Sequence, residues 1–172
     1  MIQDVATHYG WSLEAFQNLP FSERRLLIAA YECDVLKVQE QPRGTNRGAR
    51  VETYLKSVGL GGGYAWCAAF VTWCSKQSDP SHKVAPNPAM AASWLKFQPK
   101  SRKEVKRGDL GGFINADGTG HVYLITYVEY NAKKEAVRVH TIEGNSNDEG
   151  SREGFEVCRR VRVWTDKMRF AA

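Results

Sequence analysis

The hydrophobic pattern changes period once along the chain. Up to about residue 97, apolar positions recur at helical spacing. Residues 4–19 read as a short helical stretch that Pro20 ends. Ser22 is the expected N-cap of a second helix reaching about Lys37, with Leu26, Leu27, Ala30 and Cys33 on one stripe. Residues 41–48 are a loop by composition. Residues 50–58 form a third predicted helix with Val51, Tyr54, Leu55 and Val58 apolar, and Gly59 as its C-cap. Residues 67–76 are apolar nearly all round, which predicts a buried central helix entered from the Gly61-Gly62-Gly63 loop. A proline-punctuated tract follows, with a helix expected over 89–97.

After Gly108 the period shortens. Residues 110–115, 121–130, 136–143 and 155–164 are rich in Val, Ile and aromatics and bounded by Gly, Asn or Asp, so they read as strands. Residues 117–120 and 131–134 are hairpin-like links. Helices first and antiparallel strands second predict an α+β fold. No second domain is visible: residues 1–172 read as one catalytic domain, with 1–25 a helical N-terminal extension.

Composition narrows the class. With 42% hydrophobic and 25% charged residues the chain is ordinary globular protein, not a disordered one. No apolar run approaches the ~18 residues of a membrane span, so no membrane insertion is expected. The start, Met1-Ile2-Gln3-Asp4, lacks the basic and apolar character of a secretory signal. The expectation is synthesis in the cytoplasm, with any other destination reached by export or release. The net charge of +5 is concentrated in two places. Lys96, Lys100, Arg102, Lys103, Lys106 and Arg107 are opposed in sequence by Glu104 alone, and Arg159, Arg160 and Arg162 cluster in a predicted strand. Either a solvated face or attraction to a polyanion accounts for this. No nucleic-acid module accompanies the charge, so no nucleic-acid partner is expected.

The cysteines are Cys33, Cys67, Cys74 and Cys158. None stands in a C-x-x-C pair or at zinc-ligand spacing from a histidine, so no metal is expected. On one helix Cys67 and Cys74 would lie about 10 Å apart, beyond disulfide reach. Cys33, Cys74 and Cys158 are expected to be inert core residues. Cys67 differs by position. It opens the buried helix, where partial positive charge and free N–H groups lower a thiol pKa and stabilise an oxyanion. A thiolate then needs a histidine, from His8, His82, His121 and His140. His121 opens a strand after a Gly-rich turn. If the strands over 121–130 and 136–143 pair as a hairpin, the end of the second lies beside His121. Glu143 or Asn145 would then orient the imidazole.

These residues resemble a known family. Glu40-Gln41-Pro42 through Asn46-Arg47-Gly48, the block from Val51 to Leu60, Trp66-Cys67-Ala68-Ala69-Phe70-Val71, Gly108-Asp109-Leu110, Gly120-His121-Val122 and Glu143-Gly144-Asn145 are similar to CHAP-domain proteins. These are cysteine, histidine-dependent amidohydrolases/peptidases of the NlpC-type papain-like superfamily, and the resemblance spans about residues 25–164. It implies a papain-like fold, Cys67 as nucleophile, His121 as general base, Glu143 as the residue orienting the imidazole and Asn145 as a further polar residue. It implies substrate-side or oxyanion-side roles for Tyr64 and Trp66, and a turn-securing role for Asp109. The loop before Cys67 carries no carboxylate, so no calcium site is expected there, and no cofactor is expected at all.

The resemblance further implies hydrolysis of an amide in bacterial peptidoglycan, either N-acetylmuramoyl-L-alanine or a stem-peptide or cross-bridge bond. The expected setting is a secreted antibacterial effector or a phage lysin, acting in the periplasm or cell wall after export or release. An immunity or delivery protein would be a further partner. The alternative is a papain-like acyl transferase or deamidase acting on a non-wall amide. A binding module that has lost activity is disfavoured by the intact Cys67, His121 and Glu143.

Overall fold

Gly10, at φ +73°, splits the N-terminal helical stretch into α1 (Ile2–His8) and α2 (Leu13–Gln17). Ser12 caps α2, its hydroxyl accepting the Ala15 N–H at 3.1 Å. The computed structural model describes residues 1–147 and 154–172. The next helix, α3 (Phe21–Ala30), is capped by Pro20 and not by Ser22. Proline lacks the N–H that a helix start leaves unpaired, so it serves there at no loss. A π-helical turn, Tyr31–Val35, ends α3 short of Lys37. α4 (Ala49–Ser57) is followed by Gly59 at φ +81°, the left-handed position that terminates a helix. α5 (Cys67–Ser78) is the buried central helix, and α6 is Ala91–Phe97.

The strands are β1 (Pro99–Lys100), β2 (Leu110–Ile114), β3 (Gly120–Tyr130), β4 (Ala136–Ser146), β5 (Glu156–Val163) and β6 (Arg169–Ala171). They form one antiparallel sheet in the order β1-β6-β2-β3-β4-β5. β1 and β6 were not predicted, because two and three residues are too few to show a period. Alternation along β3 buries both faces of the sheet. Val122 and Leu124 share one buried core with Phe70 and Trp66 on the helical side. Tyr123 and Ile125 join Val139, Met168 and Phe170 on the other. Val5, Ala6 and Phe16 of the first two helices belong to the same core as α5. Arg25 of α3, itself buried, donates to the Gly108 carbonyl at 2.6 Å and ties that helix to the entrance of β2.

α5 packs on β4 where β4 carries a glycine. A Cβ on Gly144 would lie 2.7 Å from the Phe70 Cβ. Phe70 is fully buried and has no room to withdraw. Gly144→Ala is therefore expected to destabilise the fold by about 1–3 kcal/mol, the usual range for overpacking. Urea unfolding checks this; an unchanged midpoint would mean that helix and strand can separate freely.

Candidate active site

Cys67 is the first residue of α5 and almost entirely buried, with 7% of its surface exposed. The residue before it is held twice. The Trp66 backbone N–H donates to Asn145 Oδ1 at 2.9 Å, and its indole Nε1–H donates to Glu40 Oε1 at 2.9 Å. Glu40 is a buried carboxylate in the loop before α4, and its Oε2 accepts the Asn46 N–H at 2.9 Å. Asn145 Nδ2 donates to the Gly154 carbonyl at 2.8 Å. These contacts fix the angle at which α5 starts, and so the position of the sulfur.

His121 sits one residue into β3, beside β2. The two backbones come very close there, since a Cβ on Gly112 would fall 2.1 Å from the His121 carbonyl oxygen. His121 Nε2 is 2.8 Å from Glu143 Oε2. The thiol of Cys67 is in hydrogen-bond contact with the same ring. Since Glu143 takes Nε2, the nitrogen facing sulfur is Nδ1. Of the two acceptors left open by the sequence, Glu143 takes the imidazole and Asn145 turns away to Trp66. The cause is a β-bulge. The β4–β5 register shifts between Glu143 and Ser146, and Asn145 adopts φ +54°, which asparagine tolerates better than most residues.

Glu143 is sealed from solvent. Arg162 on β5 grips it bidentately, Nε to Oε1 and Nη2 to Oε2, both at 2.6 Å. Thr141 Oγ1 donates to Oε1 at 2.7 Å and Ser146 Oγ to Oε2 at 3.0 Å. Burial opposes its charge, but Arg162 and His121 outweigh burial and hold its carboxyl below the usual carboxylate range. Burial likewise disfavours the imidazolium, yet hydrogen bonds and charge from Cys67 and Glu143 raise His121 to about 9. Burial would push the Cys67 thiol up; His121, with the Val122 and Ala68 N–H groups, brings it below its ordinary value. The other cysteines behave oppositely. Desolvation drives Cys33 and Cys158 up to about 12 and Cys74 well above its ordinary value. All four are unpaired.

Cys67 and His121 open into a cavity of about 540 Å³, lined also by Asn46, Asn145, Phe113 and Arg160. Two residues expected on the substrate side are absent from this lining. Trp66 is wholly buried, its ring committed to the core and its N–H to Glu40. Tyr64 is 56% exposed and outside the cavity. Asp109 binds Lys100 Nζ at 2.8 Å and the Lys106 N–H at 2.9 Å, which holds the turn into β2. His140 lies at the surface 3.5 Å from Glu129, with His121 the ring beside Cys67. Arg162, Thr141 and Ser146 did not emerge from the sequence as parts of this site. The one signal available was period two: Thr141 and Glu143 share a strand face, as do Arg160 and Arg162.

Two titrations test this electrostatic arrangement. The His121 ring, followed by NMR, is expected to titrate near 9. Glu143→Gln should lower that midpoint by about one unit or more, because it removes the anion and leaves Arg162 unopposed. An unmoved midpoint would mean that Glu143 does not stabilise the imidazolium. At pH 6, iodoacetamide should alkylate Cys67 well ahead of the other three thiols.

Comparison with known proteins agrees with this geometry. The family model of the CHAP domain matches residues 59–145, half of the chain, and the match includes Cys67, His121, Glu143 and Asn145. No curated protein and no solved structure matches the chain. With a helix-borne cysteine against a strand-borne histidine on an antiparallel sheet, and with that match, the chain belongs to the CHAP domain family of cysteine- and histidine-dependent amidohydrolases.

Proposed function

We propose that this amidohydrolase cleaves an amide bond in bacterial peptidoglycan, with Cys67 as nucleophile, His121 as acid and base, and Glu143 as the residue that positions the ring. The observation that carries the catalytic part is the chain of contacts from Cys67 through His121 to the buried Glu143. The thiolate attacks the carbonyl carbon. The carbonyl oxygen becomes an oxyanion beside the first-turn N–H of Cys67, which the helix ladder leaves unused. His121 Nδ1–H gives its proton to the departing amine, and a thioester remains on Cys67. His121, now neutral, takes a proton from water; the resulting hydroxide breaks the thioester and returns the thiolate. Asn145 acts indirectly, by fixing Trp66 and the start of α5.

Peptidoglycan is favoured as substrate by the family and by a polar cavity able to hold several residues of an extended amide chain. The bond would be N-acetylmuramoyl-L-alanine or one within the stem peptide or cross-bridge. The protein would then act in the periplasm or cell wall, as an antibacterial effector or a phage lysin.

Digestion of purified sacculi tests the reading and names the bond. Wild type should release soluble fragments bearing new amines, identified by mass spectrometry. Cys67→Ala and His121→Ala should each lose activity by about 10³-fold or more. His140→Ala should keep at least about half, because its ring lies against Tyr127 and Glu129 at the surface. Intact sacculi with wild type would sink the wall assignment, and a dead His140→Ala would mean the wrong histidine.

A further inference from the structure

A second groove of about 600 Å³ adjoins the catalytic cavity. The two share Phe113, Asn115, Arg160 and Arg162, so an extended chain bound at Cys67 can continue from one into the other. The groove runs between β5 on one side and β2 and β6 on the other. Its lining contains Arg160, Arg162, Lys167 and Arg169 and, among the described residues, no carboxylate. The neighbouring acid in sequence, Asp166, pairs instead with Arg102 at 2.8 Å.

These cations are not equally engaged. Arg162 is neutralised by Glu143. Arg160 donates to the carbonyl of Asn147, and Arg169 to the carbonyls of Asp166 and Met168 at 3.1 Å. Carbonyl acceptors leave a full positive charge in place. Tyr123 also lines the groove, under the Arg162 guanidinium at 5.0 Å. Its hydroxyl is buried and has no hydrogen-bond partner. A buried polar group without a partner costs about 1–3 kcal/mol, so its persistence calls for an explanation. Guanidinium and ammonium groups only donate. With no carboxylate among the described residues of the lining, the uncompensated charge of Arg160, Lys167 and Arg169 favours a ligand that accepts hydrogen bonds and carries negative charge.

We propose that this groove is a carboxylate-binding subsite that holds an acidic residue of the amide substrate next to the scissile bond. The inference rests on the reading that an amide-bearing chain occupies the cavity at Cys67. It names what that chain must carry. Arg160, Lys167 and Arg169 receive the carboxylate, and the exposed Val161 and Val163 flank it with apolar surface.

Binding to the inactive Cys67→Ala protein tests this without turnover. The probe is a peptidoglycan stem pentapeptide with its carboxylates free, against the same peptide fully amidated, measured by calorimetry. The free acid should bind about tenfold more tightly, as expected of charge-assisted hydrogen bonds, and the margin should shrink as salt is raised. Peptides amidated only at the side chain or only at the C-terminus identify which carboxylate is read. Lys167→Gln with Arg169→Gln should cut the margin to about twofold or less. Both residues are exposed, so the fold should tolerate the change. Lys133→Gln, in the β3–β4 turn, should leave the margin intact. Equal affinity for the two peptides, no binding of either, or a margin that survives the double substitution would overturn the subsite. Failure of the wall assignment reads differently: wild type would leave sacculi intact while Cys67→Ala still preferred the free acid.

Discussion

Moving a carboxylate out of water costs several kcal/mol, and Glu143 has no water contact at all. Bidentate Arg162, His121, Thr141 and Ser146 offset that cost by occupying both oxygens. The rest of the site follows from this one charge. Because the carboxylate is satisfied as an anion, it favours a protonated imidazole on its open side. Because the imidazole is protonated, the buried sulfur beyond it is stable as a thiolate. Remove the guanidinium and the carboxylate would lose its bidentate partner, at a cost of up to roughly 3–5 kcal/mol for breaking a buried pair. β5 thus shapes the electrostatics of the Cys67–His121 pair on α5 and β3 through Arg162.

A second buried carboxylate does similar work at the Cys67 end of the site. Glu40 holds the Trp66 indole and the Asn46 backbone, while Asn145 holds the Trp66 backbone. The two acids divide the problem. Glu143 sets which protonation states are populated, and Glu40 sets where the sulfur stands. The bulge at Gly144 and Asn145 makes the division possible. It lets consecutive parts of β4 serve different partners, Glu143 toward the imidazole and Asn145 toward α5. Without the extra residue, strict alternation would keep the two side chains on one sheet face.

Much of this was legible in the sequence because it depends on local pattern. The switch of period near Gly108 separates helices from strands. The apolar run after Trp66 marks α5, and a hairpin of the length seen brings Glu143 to His121. What was not legible depends on register. In the sequence Arg162 reads as part of a basic strand, either on a solvated face or toward a polyanion. Only the pairing of Glu143 with Cys158 and of Val139 with Arg162 shows that it reaches inward to a carboxylate. The role of Glu40 is not legible in the sequence, because two of its partners, Trp66 and Asn145, lie 26 and 105 residues away. The resemblance implies substrate-side roles for Trp66 and Tyr64, which stand just before Cys67 in sequence. Adjacency on the chain says nothing about which way a ring turns when one residue starts a helix and the other ends a loop.

The basic excess also changes meaning once partners are assigned. Lys100 pairs with Asp109, Arg102 with Asp166, Arg107 with Glu23, Arg159 with Asp34 and Arg162 with Glu143. Most of the two basic clusters, open in sequence to either a solvated face or a polyanion, is thus paired with acids of the same chain. At physiological ionic strength, screening over about 8 Å reduces what remains on open surface. The exception is the groove beside the cavity at Cys67, where Arg160, Lys167 and Arg169 share a concave wall that, among the described residues, no carboxylate lines. Under the proposed subsite, electrostatic selection would be short-range, acting on a substrate already seated at Cys67 and reading the position of a carboxylate along the chain, not the total charge of a polymer.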